Sequence, residues 1–247
     1  MTWELVGRAA TLTTVAEALS QHRLVALTGA PGVGKSRLLA EAADRFETST
    51  RPSLRVLATP STRTVPLAPF VHLVPAEAPS HPSLLLAAVV DALAALGGEH
   101  GLLIAIDDAH HLDPASLALL AVVVADESAQ LALTTSDDHQ PTPGLASLLL
   151  DDRSARIEVA PLARGDVDEL VAAALGPVDD RLAEELWRLS QGNPLVLREV
   201  LADAHGALAK TEDGRWTVAG ALCSDRLAGL AAHRLRSLDP VSYTHLR

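Results

Sequence analysis

Apolar positions run along the chain in two rhythms. In the first 160 residues, short apolar-rich runs alternate with stretches whose apolar residues recur every three or four positions. The runs are LVALT (24–28), LRVLA (54–58), LLIAI (102–106), QLALTT (130–135) and ARIEVA (155–160), all suited to strands. SRLLAEAADRF (36–46), 83–97 and 114–125 have helical period, the last opened by Asp113 as N-cap and Pro114 at the first helical position. Residues 142–150 read as a short helix, and 59–82, rich in Pro, Ser and Thr, as a loop. Strands alternating with helices predict a parallel sheet covered on both faces, and continuous apolar strands fit that burial. After Pro161 the pattern changes to amphipathic helices at 163–175, 179–190, 195–205 and 225–237, with TEDGRWTVAG as a hairpin. The expected fold class is therefore α/β. A five-stranded parallel sheet with flanking helices occupies 1–160, and a small helical domain follows over 161–247.

Composition narrows the picture. Aromatics are 2% and hydrophobic residues 48% of the 247 positions, so the core must be built from Leu, Ala and Val. A formal net charge of −11 argues against a large DNA-binding face, which needs clustered Lys and Arg, but leaves room for one nucleotide. Cys223 is the only cysteine, so no internal disulfide forms, as fits a reducing compartment. The opening MTWELVGR lacks a basic-then-apolar signal pattern. The longest apolar stretches fall short of the roughly 18 uncharged residues of a membrane span. A soluble, cytoplasmic protein with no membrane partner is the expectation.

The segment GAPGVGKS (29–36) fits G-x-x-x-x-G-K-[ST], follows a predicted strand and opens a predicted helix. With Gly at ordinary frequency, a chance match in such a chain is roughly one in a hundred before that context is counted. The cradle expected to touch nucleotide comprises Gly29, Ala30, Pro31, Gly32, Val33, Gly34, Lys35, Ser36 and Arg37. Its glycines let backbone amides turn toward phosphate oxygens. Lys35 places its ammonium by the β- and γ-phosphates, Ser36 ligates Mg²⁺, and the helix start favours the anion. Strand 102–106 then runs into Asp107 and Asp108. Asp107 suits a Mg²⁺-holding carboxylate beside Ser36, and Asp108 is placed to polarise an attacking water. The plain alternative, a helix-capping pair, is already supplied by Asp113. For His110 and His111 three readings stand: metal ligation, a hydrogen bond beside the γ-phosphate for His110, and simple packing for His111.

Several segments together resemble the N-terminal ATPase module of large LuxR-type transcriptional regulators. These form the MalT-like branch of the STAND NTPases, related to AAA+ and Orc1-like ATPases. LVGRAATLTTVAEAL resembles the family's hhGRxxEL opening, where Gly7 and Arg8 lie near the base; Thr11 replaces the usual Glu. VPLAPFVHLVP resembles its I-P-L-x-x-F-x-x-L-x-P segment, and DDAHHLD its D-D-x-H-W-x-D, with His111 in place of Trp. LSQGNPLVLREVL resembles the lid's G-N-P turn, Gly192–Asn193–Pro194, which reports on the nucleotide. GRWTV resembles the small hairpin that follows. The fourth strand ends TTSDD, so Ser136 and Asp137 stand where relatives often carry an Arg; Thr134 or Thr135 still offers a hydroxyl to the γ-phosphate.

The resemblance implies ATP/ADP and Mg²⁺ as cofactors, with no N-K-x-D motif to read guanine, and self-association through the ATPase module. It also implies DNA contact only through a C-terminal domain, not by this chain itself. The ending DPVSYTHLR does not resemble the family's continuation, so the chain reads as a fragment. A slowly hydrolysing nucleotide switch, with Lys35 and Asp108 as its catalytic pair, is the leading expectation. A fast stand-alone ATPase, a P-loop kinase and a degenerate scaffold are the alternatives.

Overall fold

In a computed structural model, which describes residues 5–47, 52–77, 79, 81–220 and 222, the chain divides into two compact units. One is Arg8–Gly29 with Lys35–Val159. The other gathers the described residues from Ala160 onward together with Ala30–Gly34 and residues 5–7.

The first unit holds the sheet: β1 (Leu24–Thr28), β2 (Ser53–Leu57), β3 (Leu103–Asp107), β4 (Gln130–Thr134) and β5 (Ser154–Glu158). All pairings are parallel, in the order β2-β3-β4-β1-β5. Leu131 of β4 is in register with Leu24 on one side and Ile104 on the other. Leu24–Leu27 and Leu103–Ile106 are buried throughout, because helices cover both faces of the sheet. Those helices are α1 (Ala9–Gln21), α2 (Lys35–Glu47), α3 (Pro82–Gly97), α4 (Pro114–Ala125) and α5 (Pro143–Leu149). The α/β architecture with a parallel five-stranded sheet is as expected.

Several details differ from the sequence expectation. The segment quoted for its GR motif also forms α1, burying Leu12, Val15 and Leu19 at helical spacing. Its three threonines, poor helix formers, mask that period. β3 extends to Asp107, so the first acid is a strand residue and only the second leaves the sheet. The expected loop 59–82 contains 3-10 turns at Pro60–Thr62 and Ala68–Leu73, pinned by buried Leu67 and Phe70. With the turn that follows it, α3 makes a run over Pro82–His100 long and apolar enough by composition to cross a membrane. It packs through Val89 and Leu93 into the core. The expected helix at 225–237 lies outside the described residues, as does Cys223.

The second unit contains α6 (Arg164–Leu175), α7 (Asp180–Ser190), α8 (Pro194–Asp203) and an antiparallel hairpin, β6 (Leu208–Lys210) and β7 (Trp216–Val218). Leu170, Leu182, Leu186, Leu197 and Val200 form its core, and Val6 packs against them, which is why residues 5–7 belong here. Gly192 sits at φ +75°, where a Cβ would lie 2.2 Å from the carbonyl oxygen of Leu162, so no other residue fits that turn.

α4 starts on a single carboxylate. Asp113, 1% exposed, accepts hydrogen bonds from the amides of Ala115 (3.0 Å) and Ser116 (2.9 Å) at the helix start and from the Ser116 hydroxyl. It also accepts from the amide of Leu67, 3.1 Å away in the 59–82 segment. Asp113→Ala removes the cap and strands that buried amide, so it is expected to lower stability by about 2–4 kcal/mol. Urea unfolding followed by circular dichroism measures it; a loss under about 0.5 kcal/mol, typical of a surface change, contradicts this account.

Candidate phosphate-binding site

Three side chains converge at the C-terminal ends of β3 and β4, where open parallel sheets bind ligands. Ser36, the second residue of α2, donates its hydroxyl to Asp107 Oδ1 at 2.9 Å. Thr134, the last residue of β4, donates to the same oxygen at 2.6 Å. The Thr134 hydroxyl in turn accepts the amide of Asp108 at 2.8 Å. Donor and acceptor capacity of the threonine are both in use, and Asp107 is locked between the helix and the next strand. Asp108 follows with φ +55° and ψ +46°, a left-handed conformation that aspartate tolerates better than most residues. The backbone thus turns sharply between the two acids, although they are adjacent in sequence.

Lys35 is 7% exposed, and its ammonium donates to the carbonyl of Gly29 at 2.8 Å. Burial pulls its pKa down, while Asp108, Asp137, Asp138 and Asp107 push the other way. Asp108 is shifted upward, first by burial and then by the charge of Asp107. The oxygen-only pair of Ser36 and Asp107 suits Mg²⁺, which takes one or two protein oxygens and completes its shell with phosphates and water.

Three histidine rings cluster beside these acids. The ring of His110 lies 4.1 Å from that of His111 and 4.5 Å from that of His139. His139 also bonds Asp138 at 2.8 Å. Burial, then the charges of His111 and His139, push the pKa of His110 down to about 4, so its ring is neutral at pH 7. Among the described residues no group of three or more His, Cys, Asp or Glu is arranged to hold a metal ion, and the buried Nδ1 of His110 has no hydrogen-bond partner there. His139 had no sequence signal, since it lies 29 positions beyond His110 in no shared motif.

The other expected residues fall in different surroundings. Of the threonine pair, Thr134 bonds the acids; Thr135 is buried and joins β1 through its amide to Leu27, at 3.0 Å. Arg37 is exposed on α2, and Arg8 is buried at the start of α1.

Within the second unit, the middle of the glycine-rich loop is held by α8. Asn193 caps that helix, its Oδ1 accepting from the amides of Leu195 (3.1 Å) and Val196 (3.3 Å). Its Nδ2 donates to the carbonyl of Pro31 at 2.9 Å, and the Leu195 amide also reaches the carbonyl of Gly32 at 3.3 Å. Gly32 has φ +80°, and a Cβ there would come within 2.8 Å of Asn193 Oδ1 and Leu195 Cβ. Loop and helix can approach this closely only at glycine. Pro194 occupies the first position of α8, and Gly7 lies against the Asp166 carboxylate of α6. Ala30 and Pro31 are at least partly accessible, whereas Val33 is buried.

The family model described as AAA ATPase domain matches residues 4–135, more than half of the chain. Among solved structures, the chain is similar to a RuvB variant of Thermotoga maritima, at TM-score 0.57 and 19% identity over 83% of this chain and 63% of that one. It is also similar to the Walker-type ATPase PABY2304 of Pyrococcus abyssi, at TM-score 0.61 and 18% identity over 95% and 75% of the two chains. A third is the STAND protein PH0952 of Pyrococcus horikoshii, which has a tetratricopeptide repeat sensor, at TM-score 0.50 and 15% identity over 79% and 30%. The chain thus spans less than two thirds of the RuvB and PH0952 chains. Identities this low show a shared fold. No curated protein matches the chain.

The upward shift of Asp108 has a consequence for stability. Below its ordinary pKa of 3.8 both folded and unfolded chains hold the proton, and the fold loses nothing. As pH rises through the higher folded value, the ionised form becomes a cost that persists at neutrality. Asp108→Asn is therefore expected to melt higher than the parent at pH 7 in Mg²⁺- and nucleotide-free buffer, with the gap closing below pH 3.8. Paired thermal melts across pH test this; equal melting temperatures at pH 7 refute it.

Proposed function

The chain belongs to the AAA ATPase domain family, and from that premise we propose that it binds ATP, hydrolyses it slowly and acts as a nucleotide switch. The observation that carries the reading is the shared acceptor at Asp107, to which Ser36 and Thr134 both donate. This fixes a carboxylate beside the hydroxyl that ends the GKS motif, the pairing a Mg²⁺-nucleotide needs. In this reading Ser36 and Asp107 hold Mg²⁺, which neutralises phosphate charge when bound. Lys35 meets the β- and γ-phosphates, and the amides of residues 29–36 cradle them.

Hydrolysis asks for more than binding. Asp108, raised in pKa and set on a left-handed turn, is the residue to accept a proton from the attacking water. Its side chain is one bond, about 1.5 Å, shorter than the Glu of fast P-loop ATPases. Ser136 and Asp137 follow β4 where an Arg would stabilise the transferring phosphoryl group, a contribution worth on the order of 10³ or more in rate. Binding without fast turnover is the behaviour of a switch.

The readout we propose runs through Asn193. Because one side chain both caps α8 and holds the Pro31 carbonyl, a change in loop shape on phosphate binding moves the helix cap with it. Output through a transcriptional domain, and self-association through the ATPase module, belong to the same reading; the LuxR-type motif resemblances support them. The acidic charge supports the absence of direct DNA contact by this chain.

Lys35→Ala is expected to abolish binding of a fluorescent ATP analogue while the circular dichroism spectrum stays unchanged. Unaltered affinity would sink the phosphate assignment. Steady-state phosphate release at saturating Mg·ATP is expected below about 1 s⁻¹, under the usual enzyme range, and lower still in Asp108→Asn with ATP affinity nearly kept. Turnover of tens per second by the parent would favour a dedicated ATPase over a switch.

A further inference from the structure

The outward face of α4 is unusual for a surface helix. No charged residue stands between Pro114 and Ala125, and Ala118 and Ala121 are exposed where a solvent-facing helix carries polar groups. Beside this face runs a groove of about 660 Å³, within the first unit and remote in sequence from the glycine-rich loop. That volume lies in the usual range of small-molecule sites, about 300–1,000 Å³. Leu117, Ala118, Ala121 and Val124 line it from α4, and Gly144 and Leu148 from α5. A Cβ on Gly144 would lie 3.2 Å from Leu117 Cδ1, so the two helices are close and the floor is tightly built.

One uncompensated charge marks the groove. Arg63 stands on its wall, exposed, and makes no ion pair among the described residues. The other charged lining residue, Asp151, is already neutralised by Arg153, which donates to both its carboxylate oxygens at 2.9 Å. Thr142 also lines the groove. In a chain of net charge −11, a lone uncompensated cation at an apolar groove favours an anion with an apolar body.

We propose that the α4–α5 groove is a binding site for a small amphiphilic carboxylate, a soluble medium-chain acyl anion. The guanidinium of Arg63 pairs with the carboxylate, for which its planar fork is suited. The acyl chain lies along the alanine face of α4. From Pro114 to Val124 the helix axis runs about 15 Å, the length of roughly ten to twelve extended carbons.

Equilibrium dialysis of decanoate below its micellar concentration, against the full chain, tests this independently of nucleotide. One saturable site per chain is expected, with decanol bound at least tenfold more weakly and acetate not bound. Arg63→Gln and Ala121→Phe are each expected to weaken decanoate binding tenfold or more, with fluorescent ATP-analogue binding unchanged. Should Ala121→Phe fail to fold, Arg63→Gln and the decanol comparison decide alone. No saturable uptake, equal affinity for decanoate and decanol, or parent-like binding by the variants overturns the proposal. So does a dimer in sedimentation that Ala121→Phe dissociates, because the groove would then be a protein interface.

Discussion

Parallel strands buried on both faces leave a chain few places for charge, and in the central strand β3 that place is the strand end. Leu103–Ile106 admit no polar side chain, so the first carboxylate appears at Asp107, the last residue of β3. There it accepts from Ser36 and Thr134, which arrive from α2 and β4. That one oxygen fixes three elements against one another. The left-handed turn at Asp108 follows from it, since the Asp108 amide is tied back to the threonine that holds Asp107. Much of the candidate site is therefore a by-product of terminating a buried strand without leaving an unsatisfied polar group.

The same constraint decides which parts were legible in advance. Strands such as LVALT announce themselves because continuous burial demands continuous apolar sequence, and the glycine-rich motif is local, its residues fixed by spacing alone. The Asp107 pair was legible as chemistry but not as geometry, because nothing in DDAHH says that the backbone reverses hand between the acids. Thr134 and Thr135 look alike in sequence; strand phase separates them, and a one-residue error in the end of β4 exchanges their roles. His139 stacks on His110 only through the fold, and Asn193 reaches Pro31 across 162 positions, beyond any periodic signal. α1 was hidden by its threonines, although its buried leucines and valine keep helical spacing.

In the helical unit the most economical side chain is Asn193. An aspartate would cap α8 equally well, since capping uses only the oxygen. It would have no hydrogen to give the Pro31 carbonyl, so the amide nitrogen is the part of this residue that concerns the loop. Gly32 supports the same contact by offering no Cβ where Asn193 and Leu195 arrive.

Asp113 spreads one carboxylate over two segments, the turn at Leu67 and the first turn of α4. Opening either segment leaves a buried acceptor short of a donor, so neither opens at low energy while the other stays closed. In amide hydrogen exchange, Leu67 should then share its protection and its response to denaturant with Ala115 and Ser116, although it sits in a stretch rich in Pro, Ser and Thr. A segment that looks like loose loop in sequence would thereby exchange as part of the helix it holds, within a single cooperative unit.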